Sequence, residues 1–237
     1  MDWAAHLQAA ADQVIVPAPN PWFSWSYVTS HIDQLMQAGK EHVLLTVTAV
    51  LLAVVIALPL AVLVRRYPRL EGPVLAVSGV LYTIPSLALI SVLWPLFGLS
   101  PWTVVVALAI YALLVVLRNT VVGLKGVPGE AVDAARGMGF SKSRILLQVE
   151  FPLATPTILA GIRVAAVTTV GLVTIGALVG YGGFGSLIYS GFLQNFWHAQ
   201  IMTATIACVL LAIVVEVLLQ IAERLLTPWA RSRRESA

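Results

Sequence analysis

The sequence predicts an all-α membrane protein of about five transmembrane helices, with the N-terminus outside and the C-terminus inside. Three observations predict it. First, 59% of the 237 residues are hydrophobic and only 11% are charged, whereas a soluble domain is about 45–50% apolar and about 25% charged. Second, the apolar residues fall in uncharged runs close to the ~20 residues that span a bilayer as a helix. Third, the basic residues are segregated. With the N-terminus outside, thirteen of the fourteen lysines and arginines fall on one side, the cytoplasmic side by the positive-inside rule. Only Lys40 falls outside. An even number of spans would put either the N-terminal tail or the basic C-terminal tail on the wrong side.

Residues 1–42 read as an extracytoplasmic tail. Trp3 to Val16 has the pattern of a short surface helix. Pro17, Pro19 and Pro21 then impose an extended stretch. Residues 24–40 read as a second surface helix leading into the membrane. Asp2 stands where a secretory signal would be basic, so no cleavable signal is expected.

The five spans are roughly 43–64, 74–97, 102–122, 155–178 and 201–221. The first ends at Arg65, Arg66 and Arg69. The second and third are separated by Gly98, Leu99, Ser100 and Pro101, a tight hairpin. A polar segment, 123–152, follows the third span and carries Lys125, Arg136, Lys142 and Arg144. Arg118 and Arg163 lie near helix ends, where they can snorkel to the interface. The segment 179–200 joins the last two spans. Residues 223–237 form a basic cytoplasmic tail with Arg224, Arg231, Arg233 and Arg234. Trp102, Tyr181, Phe184 and Trp197 fall near the outer boundary, as an aromatic belt would.

The most informative stretch runs from Glu130 to Gly161. Glu130 to Met138 forms a short helix containing Ala131, Ala134 and Ala135. Gly139 ends it, because glycine tolerates the left-handed conformation after a helix. Ser141 caps a second short helix whose apolar face includes Ile145, Leu146 and Val149. Pro152 biases Phe151 away from helix and turns the chain back to the membrane. The expected result is a helix–turn–helix on the cytoplasmic surface, with a small-residue patch that another protein can approach closely.

Asp133-Ala134-Ala135, three residues, Gly139, nine residues, then Val149-Glu150-Phe151-Pro152 resembles the EAA loop of ATP-binding-cassette (ABC) importer permeases. The family pattern has Glu for Asp133, Ile for Val149 and Leu for Phe151, with the same spacing. The phrases His42-Val43-Leu44-Leu45-Thr46, Tyr82-Thr83-Ile84-Pro85-Ser86-Leu87-Ala88, Leu117-Arg118-Asn119-Thr120 and Ala134-Ala135-Arg136-Gly137-Met138-Gly139 extend the likeness over most of residues 40–222. They are similar to the glycine betaine, carnitine and choline branch, the osmoprotectant importers. Gly180-Tyr181-Gly182-Gly183-Phe184-Gly185 fits with slight departures.

The resemblance implies a type I ABC importer transmembrane domain over 43–222, with a coupling loop at 123–152. Asp133, Ala134, Ala135, Gly139, Val149, Phe151 and Pro152 would then contact an ATP-binding subunit. The implied partners are two ATP-binding subunits, a second copy or a related sibling permease, an extracytoplasmic solute-binding protein and membrane lipid, with no nucleic acid. The implied solutes are glycine betaine, carnitine, choline or proline betaine. No GxxxxGK[ST] phosphate loop occurs, so ATP and Mg²⁺ are expected in the partner and this chain needs no cofactor and catalyses no reaction. A permease for methionine, phosphonate or another small solute is an alternative. So is an ion-coupled secondary transporter using Glu216.

Other residues carry separate expectations. Pro85 sits mid-span and breaks or kinks the helix, which makes Thr83, Pro85 and Ser86 candidates for a translocation pathway. Glu216 is an intramembrane carboxylate, a candidate for the pathway or for a pair with a neighbouring helix. Gly182, Gly183 and Gly185 read as a flexible outer turn that could serve a gate or an approaching binding protein. His6, His31, His42 and His198 read as solvated or interfacial and are too scattered to ligate a metal. Cys208 lies in an apolar run and has no partner for a disulfide.

Overall fold

The structure is a computed structural model that describes residues 20–230. The expected surface helix at Trp3–Val16 and the tail arginines Arg231, Arg233 and Arg234 lie outside the described residues. All regular structure within them is helical. Helix α1 is Trp25–Ser30, opened by Ser24, whose hydroxyl accepts from the Tyr27 N–H at 3.3 Å. Helix α2 is Ile32–Arg66. A short turn at Pro68–Leu70 leads into α3, Glu71–Thr83. Helix α4 is Ser86–Phe97 and α5 is Pro101–Lys125. Two cytoplasmic helices follow, α6 at Gly129–Gly137 and α7 at Lys142–Ile145. Helix α8 is Phe151–Val173, α9 is Phe184–Leu193 and α10 is His198–Leu226.

Among the described residues four helical runs are long and apolar enough to cross a membrane, and α3 with α4 makes a fifth when the bent pair is counted as one span. Three boundaries differ from the sequence expectation. The first span begins at Ile32 rather than near residue 43, because α2 runs unbroken through the stretch read as a surface helix. The second span is two helices bent by 97° at Ile84–Pro85. The fourth begins at Lys142, because the helix passes straight through Pro152. Phe151 stays helical at φ −60°, ψ −51°, and its N–H reaches back five residues to the Leu146 carbonyl. This wider turn over Leu146–Glu150 opens room for the proline ring, which would otherwise clash with the preceding turn. The predicted return of the chain at Pro152 is therefore incorrect: the second arm of the cytoplasmic motif is the root of the fourth span.

The core is the three-helix contact of α2, α5 and α8. Lipid tails are as apolar as leucine, so helices associate in a membrane through close packing, and small residues permit it. Helix α2 presents Ala49, Ala53, Ala57 and Ala61, four residues apart on one face and all fully buried. Against them pack Ala112, Val116, Leu117, Val121 and Leu124 of α5 and Ala154, Ile158 and Ala165 of α8. Helices α5 and α8 approach as closely. A Cβ on Gly161 would sit 2.4 Å from the Asn119 Cβ, and one on Gly123 would sit 3.1 Å from the Thr157 Cβ. Ion pairs tie the cytoplasmic ends, Lys125 Nζ reaching the Glu71 carboxylate at 2.6 Å. Helix α10 lies at the edge of this core, and only 11% of its most apolar window is buried.

Ala57→Leu should lower the thermal midpoint of the detergent-solubilised protein, since overpacking a tight core costs about 1–3 kcal/mol. Val55→Leu, on the exposed face of the same helix, should leave it unchanged. Equal midpoints for the two variants would contradict a packing role for the alanine face.

Candidate functional site: a cytoplasmic docking helix and a broken span

Helix α6 is closed by a hydrogen-bonded glycine cap. Gly139 takes φ +80°. Its N–H donates to the Arg136 carbonyl at 3.0 Å, and the Phe140 N–H donates to the Ala135 carbonyl at 3.1 Å. These two bonds form a Schellman motif, which absorbs the last carbonyls of the helix and fixes the exit of the chain. Ser141 then opens α7, accepting from the Arg144 N–H at 3.4 Å. The Arg144 guanidinium lies 4.1 Å above the Phe140 ring. The elbow between α6 and α7 is thus ordered on both sides.

The sequence-predicted residues divide by burial. Asp133, Ala134 and Gly139 are exposed, together with Gly137 and Met138, while Ala135 is buried. Asp133 pairs with Arg136 at 2.7 Å on the surface. Val149, Phe151 and Pro152 are half-buried and belong to the membrane root of α8. The two halves of the motif therefore differ: the first is a presented small-residue surface and the second is its mount.

Sequence reasoning missed the residue that secures this mount. Glu150, 5% exposed, accepts from Arg65 at the end of α2 through two parallel bonds, Nη2 to Oε1 at 2.5 Å and Nε to Oε2 at 3.2 Å. A bidentate guanidinium–carboxylate pair fixes orientation as well as distance. A cleft of about 570 Å³ lies between this pair and α6, lined among others by Arg66, Val132, Arg136 and Lys142.

At Ile84–Pro85 the helix ladder is interrupted. Pro85 has no N–H for the Leu81 carbonyl, which instead accepts from the Ile84 N–H at 3.4 Å. The Ile84 carbonyl accepts from the Tyr111 hydroxyl of α5, and the Thr83 hydroxyl donates to the Val80 carbonyl at 2.7 Å. Tyr82 stands edge-on to Tyr111 with ring centroids 5.7 Å apart. Thr83 and Pro85 are exposed and Ser86 is half-buried.

Glu216 is 3.5 Å from Arg163 of α8, and Glu223 is 3.2 Å from the same guanidinium. Arg163 therefore bridges two carboxylates of α10 that lie two turns apart on one face. Glu216 is not isolated in the span.

The outer segment differs most from expectation. Gly182, Gly183 and Gly185 are buried, not an open flexible turn. A Cβ on Gly183 would lie 2.6 Å from the His42 Cβ, one on Gly182 would lie 2.4 Å from the Ala177 nitrogen, and one on Gly185 would lie 2.4 Å from the Thr174 Cα. Each glycine is there because backbone meets backbone. Glu41 accepts from the Gly183 N–H at 3.0 Å. His42 is fully buried, not solvated. Its Nε2 lies 2.8 Å from the Val170 carbonyl, and its Nδ1 accepts from the Phe184 N–H at 3.3 Å. That pair of contacts requires the neutral ring with its proton on Nε2. Phe184 is buried against His42 rather than part of an aromatic belt. Trp197 is held edge-on to Tyr27, while Trp102 stays exposed as expected. His198 is not free either: it stacks on Trp22 and bonds Asn20. No cluster of metal-ligating side chains occurs among the described residues.

Residues 46–232 match the family of binding-protein-dependent transport system inner membrane components. The chain belongs to that family. The permease is 36% identical over 208 residues to the glycine betaine/carnitine/choline transport system permease protein OpuCD of Bacillus subtilis, covering 88% of this chain and 91% of the relative. It is 37% identical over 207 residues to the osmoprotectant import permease protein OsmW of Salmonella typhimurium, covering 85% and 96%. An inward-facing structure of the MetNI methionine ABC transporter superposes on the permease with a TM-score of 0.76 at 22% identity, over 84% of this chain and 98% of that one. At that identity the likeness establishes the fold, a type I importer transmembrane domain. The permease is accordingly a multi-pass inner-membrane transport component and not an enzyme.

Gly183→Ala should destabilise the permease more than Gly98→Ala. Both positions have positive φ, which costs a side chain about 1–2 kcal/mol. Only Gly183 also meets a packed neighbour, since Gly98 faces open space. Paired thermal melts in one detergent measure the difference, and a larger loss for Gly98→Ala would contradict the buried packing of the outer segment.

Proposed function

We propose that this permease carries osmoprotectants of the quaternary ammonium class, such as glycine betaine, carnitine, choline or proline betaine, into the cell in an ATP-driven complex. The names of its relatives support the solute class. The observation that carries the drive mechanism is α6, a short helix with an exposed small-residue face, capped rigidly at Gly139 and mounted beside the Arg65–Glu150 pair.

In this reading Asp133, Ala134 and Gly139 meet an ATP-binding subunit directly, and Ala135 packs the helix onto its mount. Val149, Phe151 and Pro152 carry the displacement into α8. Small side chains let a partner's backbone approach closely, and the Schellman cap makes the contact stiff enough to transmit a push. Rigid bodies that rock about a packed joint are a standard way to convert a local contact into a large motion. Through Arg65–Glu150 the same push reaches α2, and through Lys125–Glu71 it joins α3 to α5. ATP hydrolysis resides in the separate subunit, present in two copies. A second copy of this chain, or a sibling, completes the pathway, and an extracytoplasmic binding protein delivers the solute.

Thr83, Pro85 and Ser86 lie on the pathway in this reading. Lipid cannot satisfy the backbone at a helix break, so such a break belongs beside protein or water. Glu216 serves with Glu223 to hold Arg163 between α8 and α10, which favours a structural pair over an ion-coupling site. The close packing of Gly182, Gly183 and Gly185 against α2 favours motion of the outer segment together with that helix over an independently flexible gate.

Ala134→Trp tests the docking surface. Ala134 is exposed, so the indole should not disturb folding. The variant should insert in the membrane normally, lose co-purification with the ATP-binding subunit, and lose ATP-dependent uptake of radiolabelled glycine betaine in proteoliposomes of the full complex. Normal uptake would overturn the coupling role of α6.

A further inference from the structure

We infer that the break in the second span is a transit site for the quaternary ammonium group of the solute, with the Tyr82 ring as its principal wall. This inference rests on the proposed solute class.

The argument begins with depth. Helix α3 runs thirteen residues from Glu71 to Thr83, so at 1.5 Å per residue the break stands about 20 Å along the helix from its cytoplasmic end. The partner residue on α5 agrees, since Tyr111 lies near the middle of Pro101–Lys125. The break is therefore near the bilayer midplane.

Its polar groups are unevenly satisfied. The carbonyls of Val80, Leu81 and Ile84 each accept a hydrogen bond. Among the described residues no N–H or hydroxyl donates to the carbonyls of Tyr82 or Thr83, because α4 restarts its own ladder with the Leu89 N–H on the Pro85 carbonyl. Both residues are exposed. Open carbonyls at the C-terminal end of a helix carry the negative end of its dipole. Facing hydrocarbon they would cost several kcal/mol each, so this face of the break must line water or protein. Open carbonyls at broken helices in transporters are suited to cations.

Tyr82 supplies the second element. Its side is 44% exposed, whereas Tyr111 is 7% exposed. The edge-to-face contact with Tyr111, whose hydroxyl is bonded to the Ile84 carbonyl, fixes the Tyr82 ring at the break. A trimethylammonium group has no N–H to donate. It is held by diffuse attraction to a ring face, to carbonyl dipoles or to a carboxylate, and the break offers the first two. No lysine or arginine lies within the span 71–97 to repel it. One ring and two carbonyl dipoles, opposed by the open N–H groups of Ser86, Leu87 and Ala88 at the start of α4, make a weak site, which suits a place the solute must leave quickly.

The test is a series at position 82 in the full importer, reconstituted in proteoliposomes with its binding protein and ATP. Tyr82→Phe is the reference, and phenylalanines with one to four ring fluorines are introduced by suppressor tRNA. Fluorination drains the ring face of negative potential with little change of shape, so a purely structural role is insensitive to it. Uptake of radiolabelled glycine betaine and choline, normalised to assembled complex, should fall in steps to about a tenth of the reference, the scale of a partly desolvated cation–π contact. Flat uptake across the series, with the wild-type complex active, would overturn the site. No uptake of either solute by the wild-type complex would overturn the solute class instead.

Discussion

Everything in this permease depends on how closely α2, α5 and α8 can approach. In water a helical bundle gains from moving leucine out of solvent. In lipid that gain is absent, and dispersion contacts at short range must replace it. Ala49, Ala53, Ala57 and Ala61 on α2, with Gly123 on α5 and Gly161 on α8, let the helix surfaces interlock. The exposed faces are the converse. Val43, Val47, Leu51 and Val55 of α2, and Val209, Ile213 and Val217 of α10, are bulky and face outward. Small residues inward and large residues outward is the arrangement a lipid solvent selects, the inverse of what volume alone would suggest for a core.

A tightly packed trio moves as one body, and this gives the cytoplasmic ion pairs their meaning. Glu150 sits where the helix of the fourth span emerges toward α6, and Arg65 sits where α2 ends. The wide turn at Leu146–Glu150 lets a single helix run from the cytoplasmic surface into the membrane despite Pro152. A joint at that proline would have absorbed motion arriving from α6. Under the proposed coupling role of α6, the continuous helix passes such motion on and the bidentate pair shares it with α2. The outer segment completes the circuit, since Glu41 and His42 of α2 hold the backbone of Gly183 and Phe184. A displacement at the cytoplasmic end can thus reach the outer end through α2 alone.

Much of this was legible in the sequence, and the parts that were not share a cause. The spans, their orientation, the short helix ending at Gly139 and the Ser141 cap follow from local chemistry: apolar runs, charge asymmetry, and residues suited to helix ends. The illegible features each depend on contacts distant in sequence. His42 looks like an interfacial histidine until Val170 and Phe184 are placed around it. Gly183 looks like a loop glycine until α2 is laid against it. The stretch 32–42 carries Asp33, Gln34, Gln37, Lys40 and Glu41 and looks like a surface helix, yet its Ala38 and His42 are buried against the outer segment. Pro152 obeys a sound local rule, which a wider turn then evades. Glu150 stood in the motif at a position without a type preference, and its role appears only with Arg65 beside it.

The Pro85 break departs from the close packing that governs the three-helix core. At the break the protein recovers the Leu81 and Ile84 carbonyls and leaves those of Tyr82 and Thr83 open. Tyr111 could not serve all of them, whereas a residue other than proline at 85 would let the ladder continue, so that the Ser86 and Leu87 N–H groups reach the Tyr82 and Thr83 carbonyls. A bend of 97° maintained by one proline and one buried tyrosine is therefore a feature the sequence specifies twice. An open polar notch at the midplane is tolerable only if water or a second subunit covers it. Under the proposed function, the notch marks the side of the permease on which water or a second subunit borders the solute path.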